Sequence, residues 1–278
     1  MARIFAITKI RRRRYVIRLI VSDIDGTLLP YGETRLRERL FPLIDRLRAR
    51  GILFCPASGR QYHSLRGLFG PAGDKLTYLC ENGAILYGPG SEEEAPVLGK
   101  TPMEREEALA LCRAILDLPE CQLLVSGANI SYLCQCPRDY VDYMGGFKGN
   151  RVKVLEDVEE IGEDIIKVSA YCPQGTGGPA EALGPRWGVP FRMAAAGPDW
   201  LDFTLADKGT GLAQLCRALG VATSEVMAFG DNWNDAAMLS LAGESWLMAG
   251  ADPELLDRFP QHCTSVEDTL EAFLTELA

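Results

Sequence analysis

Val21-Ser22-Asp23-Ile24-Asp25-Gly26-Thr27-Leu28-Leu29 is the stretch whose reading decides the fold. The apolar run from Tyr15 to Val21 leads into it and reads as a buried parallel strand. That strand delivers two carboxylates two residues apart, and Gly26 then turns the chain away. Two acids at the mouth of a buried strand are costly, because their charges repel in a poorly solvated crevice. A divalent cation would relieve the cost and supply the hard Lewis acid that phosphoryl chemistry uses. The plainer alternative is that Asp23 and Asp25 only cap a strand-to-loop turn.

Downstream, Thr34 is placed to cap a helix in which Leu36, Leu40, Leu43, Ile44 and Leu47 keep helical spacing and Gly51 ends it. Ile52 to Ala57 reads as a second strand, running into Ser58-Gly59-Arg60. A short helix from Gln61 to Phe69 and a strand from Leu76 to Cys80 follow. This β-α-β-α-β order predicts a parallel sheet with right-handed crossovers. At Glu81-Asn82-Gly83 the pattern changes: an Asn-Gly turn predicts a hairpin into Ala84 to Tyr87. Thr101-Pro102-Met103-Glu104 reads as a capping box that opens a helix. Short strands and helices then alternate up to Leu205, as in an α+β module on an antiparallel sheet. From Asp207 the first pattern resumes, with a helix from Lys208 and a strand, Val226 to Phe229, running into Gly230-Asp231-Asn232-Trp233-Asn234-Asp235. The expected architecture is α/β: a Rossmann-like doubly wound parallel sheet core over 1–83 and 205–278, with an inserted α+β cap domain over 84–204 and an extension over 1–16.

The 278 residues suffice for two modest domains, and 47% apolar with 24% charged residues is ordinary for a soluble globular protein. A net charge of -9 argues against nucleic acid as a partner, since phosphate backbones need a basic surface. Nine cysteines without a CxxC pair read as reduced thiols in a cytoplasmic protein. With only His63 and His262, a histidine-built metal site or triad is not expected. The basic run Arg11 to Arg14 lacks the apolar region and cleavage site of a secretory signal, and reads as a solvated extension. No run approaches a membrane span.

Four polar clusters fall at strand ends or a helix start: Asp23 with Asp25, Ser58-Gly59, Lys208, and Asp231 to Asp235. In an open parallel sheet those ends converge on one crevice. Each residue type suits phosphate transfer. A carboxylate can attack phosphorus, and a second carboxyl can protonate the leaving alkoxide and later deprotonate water. A hydroxyl, a backbone N–H and an ammonium can hold the transferring oxygens. Asp231 would complete a magnesium site of few carboxylates and several waters. Lys208 at a helix start is electrostatically unfavourable, so its placement asks for a reason beyond an ordinary surface lysine. Arg60 reads equally as a substrate contact or a structural residue, while Trp233 and His63 read as packing.

Asp-Ile-Asp-Gly-Thr, then Ser-Gly-Arg, then Lys-Gly, then Gly-Asp-Asn-x-Asn-Asp resembles the four ordered motifs of the haloacid dehalogenase superfamily. The resemblance spans roughly Ile17 to Leu241 and is closest to its Cof-type phosphatases with a type IIB cap. It implies Asp23 as nucleophile and Asp25 as general acid/base. Magnesium (Mg2+) would be held by Asp23, the main-chain carbonyl of Asp25, and Asp231, with Asp235 in support. Ser58, Gly59, Lys208 and Asn234 would contact phosphate, and the cap would select the leaving group. The function so implied is hydrolysis of a small phosphorylated metabolite such as a sugar phosphate. A phosphomutase using the same aspartyl-phosphate and a non-catalytic phospho-ligand binding module are the alternatives.

Overall fold

Leu19 and Val21 pack into one apolar core and Ile20 between them into another, so the first strand is covered on both faces. The computed structural model describes residues 16–277; the basic run Arg11–Arg14 and the expected strand start at Tyr15 lie outside them. Fourteen strands form two sheets among the described residues. The chain runs through β1 (Leu19–Asp23), β2 (Leu53–Ala57), β3 (Tyr78–Cys80), β4 (Ile85–Tyr87) and β5 (Val97–Lys100). It continues through β6 (Gln122–Ser126), β7 (Ser131–Cys134), β8 (Val152–Leu155), β9 (Lys167–Tyr171), β10 (Ala194–Ala195) and β11 (Trp200–Phe203). It ends with β12 (Val226–Gly230), β13 (Glu244–Met248) and β14 (His262–Cys263). The first sheet has the order β14-β13-β12-β1-β2-β3-β4-β5. It is parallel from β14 to β3 and antiparallel from there to β5.

Helices cover both faces of this sheet, which makes it doubly wound. Residues of α1 (Leu40–Arg48), α2 (Tyr62–Gly67) and α9 (Val266–Glu276) join Ile20, Phe54 and Tyr78 in one core. Residues of α6 (Lys208–Leu219), α7 (Ala236–Leu241) and α8 (Pro253–Arg258) join Leu19, Val21, Cys55 and Leu79 in the other. Helix α1 buries Leu40, Leu43, Ile44 and Leu47, the one-sided stripe its spacing predicts. It starts at Leu40 and not after Thr34; Leu36 is buried from the non-helical lead-in.

The second sheet, β10-β11-β9-β6-β7-β8, is antiparallel except for β7 with β8. Helices α3 (Arg105–Leu116) and α5 (Gly177–Trp187) pack on one of its faces with Leu123, Val125, Val168 and Phe203. Tyr140 of α4 (Arg138–Asp142) joins Leu124, Leu133 and Met144 on the other. The expected boundary at residue 84 falls between two strands of one sheet: β4 and β5 pair within the first sheet, and the strands of the second come only after Lys100. Helix α3 is capped by Glu104, whose carboxylate accepts from the Glu106 and Glu107 N–H groups, and not by Thr101. The Thr101 N–H is already committed to the Ala84 carbonyl, which prolongs the hairpin edge.

The chain leaves the first sheet after β5 and returns from β11 to α6. Gln214 of α6 donates to the Thr101 hydroxyl at 3.3 Å, so both crossings lie beside that helix. The Glu81-Asn82-Gly83 turn joins β3 to β4, with all three residues at positive φ. Gly83 and Gly211 meet backbone to backbone: a Cβ on Gly211 would lie 2.5 Å from the Gly83 Cα. This close approach seats the start of α6, and therefore Lys208, against the first sheet. Gly211→Ala is expected to push α6 off the turn and cost about 1–3 kcal/mol. Urea unfolding checks this, and an unchanged midpoint would show that the contact does not fix the helix.

Candidate active site

Three neighbouring parallel strands end side by side. Asp23 pairs with Ala57, which precedes Ser58, and Ser22 pairs with Phe229, which precedes Gly230 and Asp231. The C-terminal ends of β2, β1 and β12 therefore bring Ser58, Asp23 and Asp231 to one edge, the crevice of an open α/β sheet. After Asp23 the chain folds back at once, with Gly26 N–H donating to the Leu29 carbonyl and Leu29 N–H to the Ile24 carbonyl, both at 2.8 Å. Gly26 has φ +94°, and a Cβ there would fall 2.1 Å from Asp231 Oδ2. Only glycine lets this loop close on Asp231.

Lys208 is the first residue of α6, where its charge opposes the helix dipole. The reason is in its partners. Its Nζ, buried with the whole side chain, donates to Asp23 Oδ1 at 2.5 Å and to Asp235 Oδ1 at 2.6 Å. Asp235 is fully buried, and its other oxygen accepts from the Asp231 and Asn232 N–H groups at 3.0 and 3.1 Å. Asp231 in turn accepts from Thr27 Oγ1 at 3.2 Å and from the Tyr31 hydroxyl at 2.9 Å.

Two carboxylates therefore share one ammonium, with a third carboxylate beside them. Burial, then the charge of Asp235, raises the Asp23 pKa from 3.8 to about 8 against the opposing pull of Lys208. Burial also raises Asp231, and burial with the hydrogen bond to Asp231 pushes Tyr31 up to about 12. Burial disfavours the Lys208 charge, but Asp23 and Asp235 outweigh it and hold its pKa above the ordinary lysine range. Asp23 Oδ2 is buried with no hydrogen-bond partner. One carboxylate oxygen each from Asp23, Asp231 and Asp235 lie within 4.8 Å of one another. An orphaned oxygen inside a hard, anionic donor set fits a divalent cation of the magnesium class.

Asp25 lies outside this cluster, its side chain half exposed, and Arg60 grips both of its oxygens, Nε to Oδ2 at 3.0 Å and Nη2 to Oδ1 at 2.5 Å. Ser58 is buried and its Oγ accepts from the Arg60 N–H at 3.2 Å. Gly59 packs on Asn82: a Cβ there would sit 3.1 Å from the Asn82 amide nitrogen. Asn234 is exposed on the turn Trp233–Asp235, next to Asp235. The structure thus joins Asp23, Lys208, Asp231 and Asp235 directly and sets Ser58-Gly59-Arg60 beside them through Asp25.

His63 pairs with Glu92 at 2.7 Å, away from the acids, and all nine cysteines are free thiols. Sequence reading gave no role to Tyr31, Glu81 or Lys167, and left Arg60 open. Tyr31 carries no signal in its loop. Lys167 does: a charge inside the apolar run Ile165-Ile166-Lys167-Val168 demands a buried partner.

Asp235→Asn would strip Lys208 of one buried partner and place an amide where a carboxylate accepts two N–H groups. The expected loss is about 3–5 kcal/mol. Asp231→Asn, at a half-exposed acid, is expected to cost much less. Denaturant unfolding of both variants checks the order, and equal losses would refute it.

Residues 20–269 match the family of haloacid dehalogenase-like hydrolases. The chain is 43% identical over 260 residues to the HMP-PP phosphatase of Cronobacter sakazakii, covering 89% of this chain and 91% of that one. It is 26% identical over 242 residues to the Escherichia coli 5-amino-6-(5-phospho-D-ribitylamino)uracil phosphatase YbjI, covering 84% and 86% respectively. A solved structure from Eubacterium rectale superposes with a TM-score of 0.82 at 29% identity, covering 92% of this chain and 99% of that one. With its ordered acid, Ser-Gly, lysine and acid clusters on a doubly wound sheet, the chain belongs to the haloacid dehalogenase-like hydrolases, as a phosphatase of the Cof type.

Proposed function

We propose that this phosphatase is magnesium-dependent and hydrolyses small phosphomonoesters through an aspartyl-phosphate on Asp23. The observation that carries the reading is the Asp23 carboxylate, buried, tied to Lys208 by one oxygen and unpartnered at the other. Asp23 and Asp231 carboxylates and the main-chain carbonyl of Asp25 would hold the cation, with Asp235 fixing the Asp231 and Asn232 backbone behind it. Magnesium, when bound, offsets the charge gathered on these acids and on the transferring phosphoryl group.

The remaining steps belong to the chain. An Asp23 oxygen attacks phosphorus, the bond to the ester oxygen breaks, and Asp25 protonates the departing alkoxide. Asp25 then takes a proton from water, whose oxygen attacks the acyl phosphate and releases inorganic phosphate and free Asp23. Lys208, Ser58 and the Gly59 N–H would hold the phosphoryl oxygens, with Asn234 beside them, and Arg60 orients Asp25. The segment between Lys100 and Asp207 acts as the cap that receives the leaving group. The relatives' names support a small phosphorylated metabolite as substrate. Nine unpaired thiols suit a reducing cytoplasm, and among the described residues no helix is long and apolar enough to cross a membrane.

Asp23→Asn is expected to abolish phosphate release, by on the order of 10⁴-fold, while the circular-dichroism spectrum is kept. The assay is a panel of phosphorylated metabolites scored for free phosphate; an isomerised sugar phosphate without phosphate release would instead indicate a mutase.

Magnesium dependence carries a pH signature. Folded, metal-free Asp23 keeps its proton up to about pH 8, against 3.8 when unfolded. The stability it contributes is complete below the unfolded value and lost as pH rises through the folded one. Magnesium must displace that proton, so its effect on the melting temperature is expected to grow from about pH 6 to about pH 8. A shift of full size already at about pH 5 would show that Asp23 is ionised without the metal. Chelation is expected to stop turnover.

A further inference from the structure

Lys167 opens β9, the strand between β11 and β6 in the second sheet, and is 5% exposed. Its ammonium reaches across to the first sheet. It lies 2.6 Å from Glu81 Oε2, in the turn after β3, and donates to the Gly59 carbonyl at 3.2 Å. Its third partner is Asp202 Oδ2 of β11 at 3.2 Å, and Ser169 Oγ donates to the other Asp202 oxygen at 2.6 Å. Burial disfavours the lysine charge, but Asp202 and Glu81 outweigh it and hold the pKa above the ordinary range. One cation and two carboxylates are thus buried where the two sheets meet.

Stability alone does not account for such a cluster, since apolar groups of similar volume often serve as well. What apolar groups cannot supply is a hydrogen bond to one chosen carbonyl. Lys167 grips the C=O of the Gly59–Arg60 peptide, and the N–H of that same peptide donates to Ser58 Oγ at 3.2 Å. With its oxygen accepting there, the Ser58 hydroxyl is left with its proton to give to a ligand. The next side chain, Arg60, holds Asp25. The opposite side of the loop rests on the turn that carries Glu81, where Asn82 N–H donates to the Ser58 carbonyl at 2.9 Å. The Lys167 bond is therefore placed to set both the Ser58 hydroxyl and the Asp25 carboxylate.

We propose that Lys167 is a positioning residue: it reaches from the cap sheet to fix Ser58-Gly59-Arg60, so that the phosphoryl-binding loop is complete only when the cap is docked. The inference rests on the reading above that this loop receives the phosphoryl group.

The test measures binding of inorganic phosphate to the magnesium-loaded full chain by calorimetry, with steady-state hydrolysis of p-nitrophenyl phosphate alongside. Four variants are compared: Lys167→Met, the charge-preserving double variant Lys167→Met/Glu81→Gln, Asp202→Asn and Ser58→Ala. Both lysine variants are expected to lose phosphate affinity about tenfold or more, with KM raised, while the magnesium-induced melting shift stays as in wild type. Asp202→Asn removes an ion pair but leaves the Lys167 bond to Gly59, and is expected to keep the affinity for phosphate. The double variant leaves the cluster's net charge unchanged, and supplies the reading if Lys167→Met alone does not fold. Wild-type phosphate affinity in the lysine variants, with affinity lost in Ser58→Ala, overturns the role of Lys167 and leaves the loop reading intact. So does an equal loss in Asp202→Asn, which a merely structural cluster predicts. Unchanged affinity in Ser58→Ala overturns the loop reading, and the inference with it.

Discussion

The Lys208 ammonium, shared between Asp23 and Asp235, is the interaction on which the rest of the structure depends. All three side chains are removed from water, and such groups are tolerable only in close, hydrogen-bonded geometry. Each comes from a different part of the chain: the end of β1, the turn before α7, and the first residue of α6. Keeping them together therefore fixes the start of α6 against the sheet, which in turn requires the bare backbone contact of Gly83 with Gly211. With Asp231 alongside, three acids lie around this one ammonium. That imbalance is unfavourable for the isolated fold, and burial together with it raises the Asp23 pKa.

A second buried cluster repeats the arrangement in a different setting. Lys208 joins elements within the first sheet's layers, whereas Lys167 joins the two sheets. Around it, the start of α2 is hydrogen-bonded to the second sheet's loops through Gln61, His63 and Ser64. Those contacts follow directly after Ser58-Gly59-Arg60. The loop beside Asp25 is thus one place where the two sheets are tied together through several hydrogen bonds.

Much of this was legible in the sequence, for physical reasons. Buried parallel strands must be apolar throughout, so β1, β2 and β12 stand out as runs, and polar residues at their ends mark the crevice. Lys208 could be singled out because a cation at a helix start opposes the helix dipole; its acid partners, Asp23 and Asp235, come from elsewhere in the chain. The Asn-Gly turn correctly foretold the hairpin of β3 and β4. What the sequence did not reveal was long-range pairing. The strands β4 and β5 are three and four residues long and antiparallel, so they resemble the strands of the insertion, and their place in the first sheet depends on register with β3. Thr34 and Thr101 have the chemistry of helix caps, yet tertiary packing and a competing hydrogen bond moved both helix starts downstream. Tyr31 and the partners of Lys167 are set by contacts across hundreds or tens of residues, which no local pattern encodes.

The two crossings between the sheets lie next to each other, beside α6. A module joined at a single edge in this way can be reshaped, or traded for another of similar footprint, without any strand of the parent sheet changing its neighbours. The strands that end at the acid cluster and the strands of the second sheet are thereby written on separate stretches of one polypeptide, free to diversify at different tempos.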